Sequence, residues 1–206
     1  MEESVNHWER IYSTKKTDEL SWTQAKPKTS LDFLHRFNLP KNSPIIDVGG
    51  GESKFVDFLL LEGYTDITVL DISEQALLTT RERLGPDSAS RVQWIVSDIT
   101  AFVPTRKYHF WHDRATFHFL TSENQIASYI TLTSKAIDSQ GFMVIGTFSE
   151  NGPSKCSGLP VVKYSEDLLS TTLAANFRKM DCITEDHETP FHTLQNFLFC
   201  SFRKIA

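Results

Sequence analysis

The chain has 206 residues, a hydrophobic content of 40% and a formal net charge of −5. These values are typical of a single globular domain, here residues 1–206, with a sizeable core. There is no basic stripe and no apolar run of the roughly 18 residues that a membrane helix needs, so neither nucleic acid nor a membrane is an expected partner. The acidic residues 1–4 do not resemble a secretion signal.

The three cysteines are Cys156, Cys182 and Cys200, and they follow no CxxC or metal-ligand spacing. A sparse, odd number of cysteines is typical of proteins in a reducing compartment. We therefore expect a cytoplasmic protein without a bound metal.

Helical patterns at residues 4–13 and 28–38 precede the first predicted strand. Large aromatic residues, including Tyr12 and Trp22, stand among polar ones in this stretch. Aromatic faces attract cations, so either ring could close over a positively charged ligand. The alternative is that these rings anchor the N-terminal helices on the sheet. We expect residues 1–40 to form a helical lid segment.

The strongest local signal is at residues 45–53, where a short apolar strand containing Asp47 runs into three glycines and a predicted helix. The glycines are Gly49, Gly50 and Gly51. Glycine lets the backbone approach a ligand without an intervening Cβ, and the new helix directs free N–H groups at that ligand. A tight strand-to-helix turn without a ligand is the alternative.

Three further predicted strands, at residues 67–70, 92–96 and 108–111, are each followed by an acid. These acids are Asp71, Asp98 and Asp113. The carboxyl ends of parallel strands meet at one edge of a sheet, where ligands bind. We therefore expect the three acids and Asp47 to lie together, with Asp71 able to accept both hydroxyls of a ribose.

Strands alternate with helices as far as a fifth strand at 142–148, which predicts an α/β, doubly wound parallel sheet. The last two strands, 178–184 and 194–202, have no helix between them and should pair antiparallel. We expect a Rossmann-like, seven-stranded, mostly parallel sheet with an antiparallel C-terminal edge strand and helices on both faces.

The spacing D-x-G-x-G-x-S at 47–53 resembles the first motif of class I S-adenosylmethionine (SAM) methyltransferases, although Ser53 replaces the usual last glycine. The resemblance covers essentially the whole chain. Residues 7–24 and 113–115 are similar to segments of the lysine methyltransferases of citrate synthase or elongation factor, and 113–115 also to thiopurine methyltransferases. Uncharacterised bacterial-type members share the loop at 156–160.

The resemblance implies a methyltransferase that uses SAM and releases S-adenosylhomocysteine (SAH). The acceptor would be a protein lysine or a small molecule with a nitrogen, oxygen or sulfur nucleophile. Family members hold the ribose with the acid at Asp71, pack Ile72 on adenine and place Asp98 near the exocyclic amine. The expected cofactor-binding residues are Trp22, Asp47, Gly49, Gly50, Gly51, Asp71, Ile72, Asp98, Ile99 and Asp113.

Methyl transfer from a sulfonium needs a positioned nucleophile and, where that atom is protonated, a base. The expected catalytic residues are Asp113, His112 and His118. Asp113 could orient an acceptor or the cofactor's amino group, and imidazole titrates near neutral pH, as a base requires. The alternatives are an Asp113–Arg114 ion pair and a histidine that merely packs in the core.

The glycine- and proline-containing loop at 149–164 follows the fifth strand and is expected to border the acceptor. Within it, Cys156 could be a thiol in the pocket or a buried small residue. His187 and His192 in the last hairpin could also face the acceptor.

Two other function classes stay open. A nucleotide-linked oxidoreductase would carry the fingerprint G-x-G-x-x-G, but Lys54 stands at the third glycine position. A SAM-type fold used only for protein interaction would keep the pocket without turnover. The sequence does not indicate an oligomeric state.

Overall fold

A seven-stranded sheet forms the centre of the molecule in the computed structural model, which describes residues 2–205. Met1 and Ala206, the ends of the expected domain, lie outside the described residues. The strands are β1 Ile45–Val48, β2 Ile67–Asp71, β3 Val92–Val96, β4 Tyr108–Arg114, β5 Ile137–Phe148, β6 Phe177–Glu188 and β7 Leu194–Lys204. Their order across the sheet is β3-β2-β1-β4-β5-β7-β6.

The first five strands are parallel, and β7 pairs antiparallel with both β5 and β6. This confirms the expected doubly wound, Rossmann-like sheet with an antiparallel C-terminal strand. That strand, β7, lies one position in from the edge, and its hairpin partner β6 occupies the edge itself. The strand order reverses between β1 and β4, where Asp47 pairs with His112 and Val48 with Asp113.

Six helices flank the sheet within residues 2–205. They are α1 Glu2–Thr14, α2 Lys28–Arg36, α3 Phe55–Leu61, α4 Glu74–Ala89, α5 Glu123–Ala136 and α6 Glu166–Leu173. Serine N-caps begin α4, α5 and α6, because each hydroxyl accepts a backbone N–H of the first turn. Helix α4 kinks at Gly85, where φ is 74°, and then continues for one more turn.

Buried side chains form one apolar layer on each face of the sheet. One layer contains residues of α2, α3 and the first turns of α4, and the other contains residues of α5 and α6. Alternate strand residues contribute to opposite layers: Phe110 packs with the first and Trp111 with the second. This alternation decides which side of the sheet each residue of β4 reaches.

Cys182 and Cys200 form a disulfide between β6 and β7. The two residues are 18 positions apart, and antiparallel pairing places them directly opposite each other. Their spacing matches no short motif, so the sequence did not indicate this pairing. Cys156 is a free, buried cysteine.

We predict that Gly146→Ala destabilises the fold. A Cβ at Gly146 would lie 2.7 Å from a ring carbon of Phe199. Phe199 is fully buried and stacks against Phe33 of α2, so its ring has little space to move. We expect the free energy of unfolding to fall by about 1–3 kcal/mol in urea denaturation with an unchanged m-value. Wild-type stability in this variant would mean that the ring layer adapts freely.

Candidate active site

A cavity of about 320 Å³ opens at the carboxyl ends of the parallel strands, beside the point where the strand order reverses. Its walls come from α1, the end of β2, the segments that follow β3 and β4, the start of α5 and the loop after β5. Ligands of open α/β sheets bind at this place.

The glycine loop after β1 passes its neighbours too closely for side chains. Gly49 and Gly51 have φ of 65° and 33°, a region that favours glycine. A Cβ on Gly49 would lie 1.8 Å from the Thr116 hydroxyl oxygen, and one on Gly51 would lie 2.9 Å from both Asp71 Oδ2 and the Tyr12 hydroxyl. The loop therefore brings backbone, rather than side chains, to the cavity.

Two acids line the cavity at the ends of β2 and β3. Asp71 Oδ1 accepts the Ser73 N–H at 2.9 Å, and burial raises the pKa of Asp71 to about 7. Asp98 Oδ1 accepts both the backbone N–H and the hydroxyl of Thr100, at 2.8 and 2.7 Å. Each carboxyl group is thus held in a fixed orientation at the cavity wall.

Arg114 is a cavity residue whose role the sequence did not suggest. Its Nη1 donates to the Trp22 carbonyl at 2.9 Å, while its Nε and Nη2 are buried without a hydrogen-bond partner. Burial lowers its pKa to about 10, so the guanidinium is still charged at neutral pH. An ion pair with Asp113 is not formed, because successive strand residues point to opposite faces. Arg114 instead lies over the Phe197 ring.

Four aromatic residues line the same cavity, and we call them the aromatic cluster: Trp8, Tyr12, Trp22 and Phe119. The Trp8 ring lies 6.1, 5.8 and 5.1 Å from those of Tyr12, Trp22 and Phe119, measured between centroids. Ser4, Trp8 and Tyr12 are spaced four residues apart and form one side of α1. These rings combine an apolar wall with faces that attract a cation.

The structure places Asp113, expected to orient an acceptor or the cofactor's amino group, outside the cavity lining. Asp113 is fully buried. Its Oδ1 accepts the N–H groups of Thr116 and Phe117 at 3.2 and 3.0 Å, and its Oδ2 accepts the Tyr129 hydroxyl at 2.8 Å. Burial raises its pKa to about 6. The side chain faces α5 and shapes the turn after β4.

His112, expected as a base, also lies outside the cavity lining. It lies in the opposite layer from Asp113, where its Nδ1 and Asp47 Oδ1 are 2.6 Å apart and its Nε2 and the Ser30 hydroxyl are 2.8 Å apart. His112 borders only a narrow cleft behind the glycine loop. With both ring nitrogens engaged in buried contacts, it connects β1, β4 and α2.

His118, the other expected base, is fully buried outside the cavity lining. Its Nδ1 accepts the Phe148 N–H at 3.2 Å, and burial lowers its pKa to about 3. His187 binds the Ser21 carbonyl at 2.8 Å, while His192 is exposed at the hairpin tip. None of these imidazoles reaches the cavity.

The remaining expected residues divide between the cavity and the adjoining cleft. Those that line the cavity are Trp22, Gly49, Asp71, Ile72, Asp98 and Ile99. Asp47 and Gly50 line the cleft, which shares Tyr12, Trp22, Gly49 and Arg114 with the cavity. Gly51 lies between Asp71 and Tyr12. Their roles as ligands stay predictions.

The loop at 149–164 also borders the cavity, through Cys156, Leu159 and Pro160. Burial raises the pKa of the Cys156 thiol to about 11, so this thiol is neutral at physiological pH. Within residues 2–205, no group of three His, Cys, Asp or Glu side chains is arranged to hold a metal ion. None of the helices in that range is long and apolar enough to cross a membrane.

No protein-family model matches the chain. It is 22% identical over 155 residues to EEF1A lysine methyltransferase 2 of Mus musculus, across 68% of this chain and 63% of that protein. The Homo sapiens protein of the same name is 21% identical over 153 residues, across 68% and 65%. The alignments thus span slightly less than two thirds of the length of these relatives.

Solved structures share the fold over nearly the whole chain. The N-methyltransferase NodS from Bradyrhizobium japonicum, in complex with SAH, superposes with a TM-score of 0.74 at 16% identity, covering 98% of this chain and 97% of that one. The 1,6-didemethyltoxoflavin-N1-methyltransferase of Burkholderia thailandensis gives 0.70 at 17% identity, covering 99% and 85%. The chain therefore has the class I SAM-dependent methyltransferase fold.

We predict that the burial of His118 makes the folded protein less stable at acidic pH. A histidine with a folded pKa of about 3 stays neutral while the unfolded chain takes up a proton below pH 6.5, so its contribution is complete above pH 6.5 and decreases on acidification. At pH 5 this linkage lowers the wild-type stability by about 2 kcal/mol. His118→Asn should therefore be less stable than wild type at pH 7.5, and the deficit should shrink by about that amount at pH 5.

Urea denaturation at both pH values measures this difference. The exposed His192 supplies the control, and His192→Asn should change the pH dependence of stability much less than His118→Asn does. A deficit of equal size at both pH values for His118→Asn would contradict the assignment of a neutral, buried imidazole.

Proposed function

We propose that the protein is a SAM-dependent methyltransferase. The observation that carries this proposal is that one cavity holds oriented acids at two strand ends together with a buried guanidinium, two of whose nitrogens have no hydrogen-bond partner. A ligand with a ribose, a carboxylate and cationic groups would satisfy all of them. SAM has this combination, and the fold is that of enzymes that use it.

The adenosine half of SAM fits the β2 and β3 side of the cavity. Asp71 would accept the ribose hydroxyls with the oxygen that does not bind Ser73. Ile72 and Ile99 supply apolar contacts for the adenine faces, and Asp98 an acceptor for its exocyclic amine. These assignments rest on the placement of the four residues around one wall.

The amino-acid half fits the β1 and β4 side. The unpartnered Nε and Nη2 of Arg114 would donate to the carboxylate, which suits the forked geometry of a guanidinium. Asp47 Oδ2 is also buried without a partner, beside Gly50, and would attract the ammonium group. Both groups border the narrow cleft that adjoins the cavity.

SAM supplies a methyl group bound to a sulfonium. The leaving group, SAH, is a neutral thioether, so its departure needs no acid. The protein's contribution is then position and charge. The aromatic cluster offers faces to the sulfonium, and the ordered walls hold an acceptor in line with it.

We propose an acceptor whose nucleophilic atom arrives unprotonated or releases its proton to water. No imidazole is among the described residues that line the cavity, and its two carboxylates lie at the adenosine side. The name lysine methyltransferase of the two relatives and the name N-methyltransferase of two structural neighbours support a nitrogen acceptor. The candidates remain a protein lysine and a small nitrogen compound.

Two alternative functions and the cellular location of the protein also remain to be tested. Lys54, where a dinucleotide fingerprint needs glycine, borders the cleft and disfavours an oxidoreductase. A non-catalytic interaction domain would bind SAH without turnover. A cytoplasmic location stays a prediction, against which the Cys182–Cys200 disulfide argues, because disulfides are rare in reducing compartments.

Calorimetry with SAM, SAH and NADH tests the proposal directly. We expect micromolar binding of SAM and SAH and none of NADH. A folded protein that binds neither SAM nor SAH would overturn the proposal, and tight NADH binding would revive the oxidoreductase. Methyl transfer is then followed with labelled SAM on peptide and small-molecule libraries.

We predict opposite effects of Asp71→Asn on ligand binding and on stability. SAH affinity should fall about tenfold or more, since the amide replaces a charged acceptor of ribose hydroxyls. The ligand-free protein should melt at a higher temperature at pH 8, because wild type then keeps a carboxylate whose pKa burial raises to about 7. Calorimetry and thermal scans measure both effects.

Asp87→Asn removes an exposed acid from the last turn of α4, outside the cavity lining, and serves as the control. It should change neither quantity. A lower melting temperature for Asp71→Asn, together with intact SAH binding, would assign Asp71 a structural role.

We predict that Arg114→Met removes the preference for ligands that carry the amino-acid group. Wild type should bind SAH more tightly than 5′-methylthioadenosine, which lacks that group. In Arg114→Met the ratio of the two affinities should fall about tenfold or more, because a charge-assisted contact to the carboxylate is lost.

Binding of 5′-methylthioadenosine reports on any displacement of Trp22 caused by the same substitution. Asp71→Asn should weaken both ligands by similar factors. An unchanged affinity ratio in Arg114→Met would reject Arg114 as the carboxylate partner.

A further inference from the structure

Helix α1 covers the cavity, yet few contacts hold it in place. Ser4, Trp8 and Tyr12 face the cavity, and of the α1 residues only Tyr12 is buried. Ile11 adds an apolar contact with the cluster formed by Tyr12, Leu20 and Ala76, and most other residues of the helix are polar and exposed or half-buried. Its position over the cavity therefore depends on a small number of specific interactions.

Glu9 makes the polar contact that ties α1 to the body of the protein. Its Oε1 accepts the Glu74 N–H at 2.6 Å. Its Oε2 accepts the Ser73 hydroxyl at 3.2 Å and the Gln75 N–H at 3.3 Å. The carboxylate thus occupies the beginning of α4, where free N–H groups and the helix dipole favour a negative charge.

This contact lies two hydrogen bonds from the proposed ribose acid. Ser73 donates its hydroxyl to Glu9 and its backbone N–H to Asp71 Oδ1. About one turn further along α1, the Tyr12 hydroxyl and Asp71 Oδ2 both lie 2.9 Å from the Cβ position of Gly51. Helix α1 therefore comes close to this carboxyl group in two ways, through Glu9 by way of Ser73 and through Tyr12 beside Gly51.

We propose that Glu9 is a positioning residue for the cofactor: it anchors α1 on α4 so that Trp8 and Tyr12 close over bound SAM or SAH. The inference rests on the proposed function, because it concerns how long the proposed cofactor is retained. Release of SAH requires α1 to move, and the carboxylate contacts at α4 resist that movement.

Glu9→Gln tests the role of the charge. The variant keeps the shape of the side chain but turns an NH₂ group toward donors that need acceptors. We expect the dissociation rate constant of SAH to rise about tenfold, equivalent to about 1.4 kcal/mol. The ligand-free melting temperature should stay near that of wild type, because Glu9 lies outside the buried core. Stopped-flow tryptophan fluorescence can follow release, since Trp8 and Trp22 line the cavity.

Glu3→Gln is the matched control, because it removes the same charge from an exposed position on α1. It should release SAH at the wild-type rate. Hydrogen exchange gives a second readout: SAH should slow the exchange of α1 amides in wild type and Glu3→Gln, and much less in Glu9→Gln. Should Glu9→Gln fold poorly, Glu9→Asp, whose shorter carboxylate reaches α4 less well, should show a smaller change in the same direction.

The outcomes separate this inference from the proposed function. A wild-type protein that does not bind SAH refutes the methyltransferase proposal itself. Wild-type binding together with equal SAH release and equal α1 protection in Glu9→Gln overturns only the role of Glu9.

Discussion

The close passage of the glycine loop after β1 is the constraint on which the rest of the site depends. Gly49 leaves no space for a Cβ against Thr116, and Gly51 leaves none against Asp71 and Tyr12. Because these contacts are backbone to side chain, the ends of β2 and β4 and helix α1 converge on one point. Any side chain on the loop would separate the three elements and open the cavity wall.

Around this point the protein retains charges that its own fold does not neutralise. Burial raises the pKa of Asp71 to about 7 and lowers that of Arg114 to about 10, and Arg114 keeps two donors without partners. Such groups oppose folding, and perturbed groups of this kind concentrate at functional sites. A ligand with both signs of charge, as SAM has, would convert these unfavourable terms into binding energy.

Other polar residues near the site support it from outside the cavity. Asp113 holds the turn that carries Arg114 and Thr116, and His112 connects Asp47 to α2 through Ser30. Their different surroundings follow from the alternation of side chains along β4. A position at the end of a strand thus indicates that a residue is near the cavity. The face of the strand on which its side chain lies decides whether it lines the cavity or holds neighbouring elements in place.

The sequence by itself determined the order of the strands and helices, the glycine turn and the acids that follow β2 and β3, because periodicity, turn residues and strand ends are local properties. It also indicated the antiparallel pairing of the last two strands. Only the tertiary structure decided that Arg114 and Phe119 share a cavity with Trp8, that Cys182 meets Cys200 and that Glu9 reaches α4. Each of these contacts joins residues through strand register or helix docking, which depend on the whole chain.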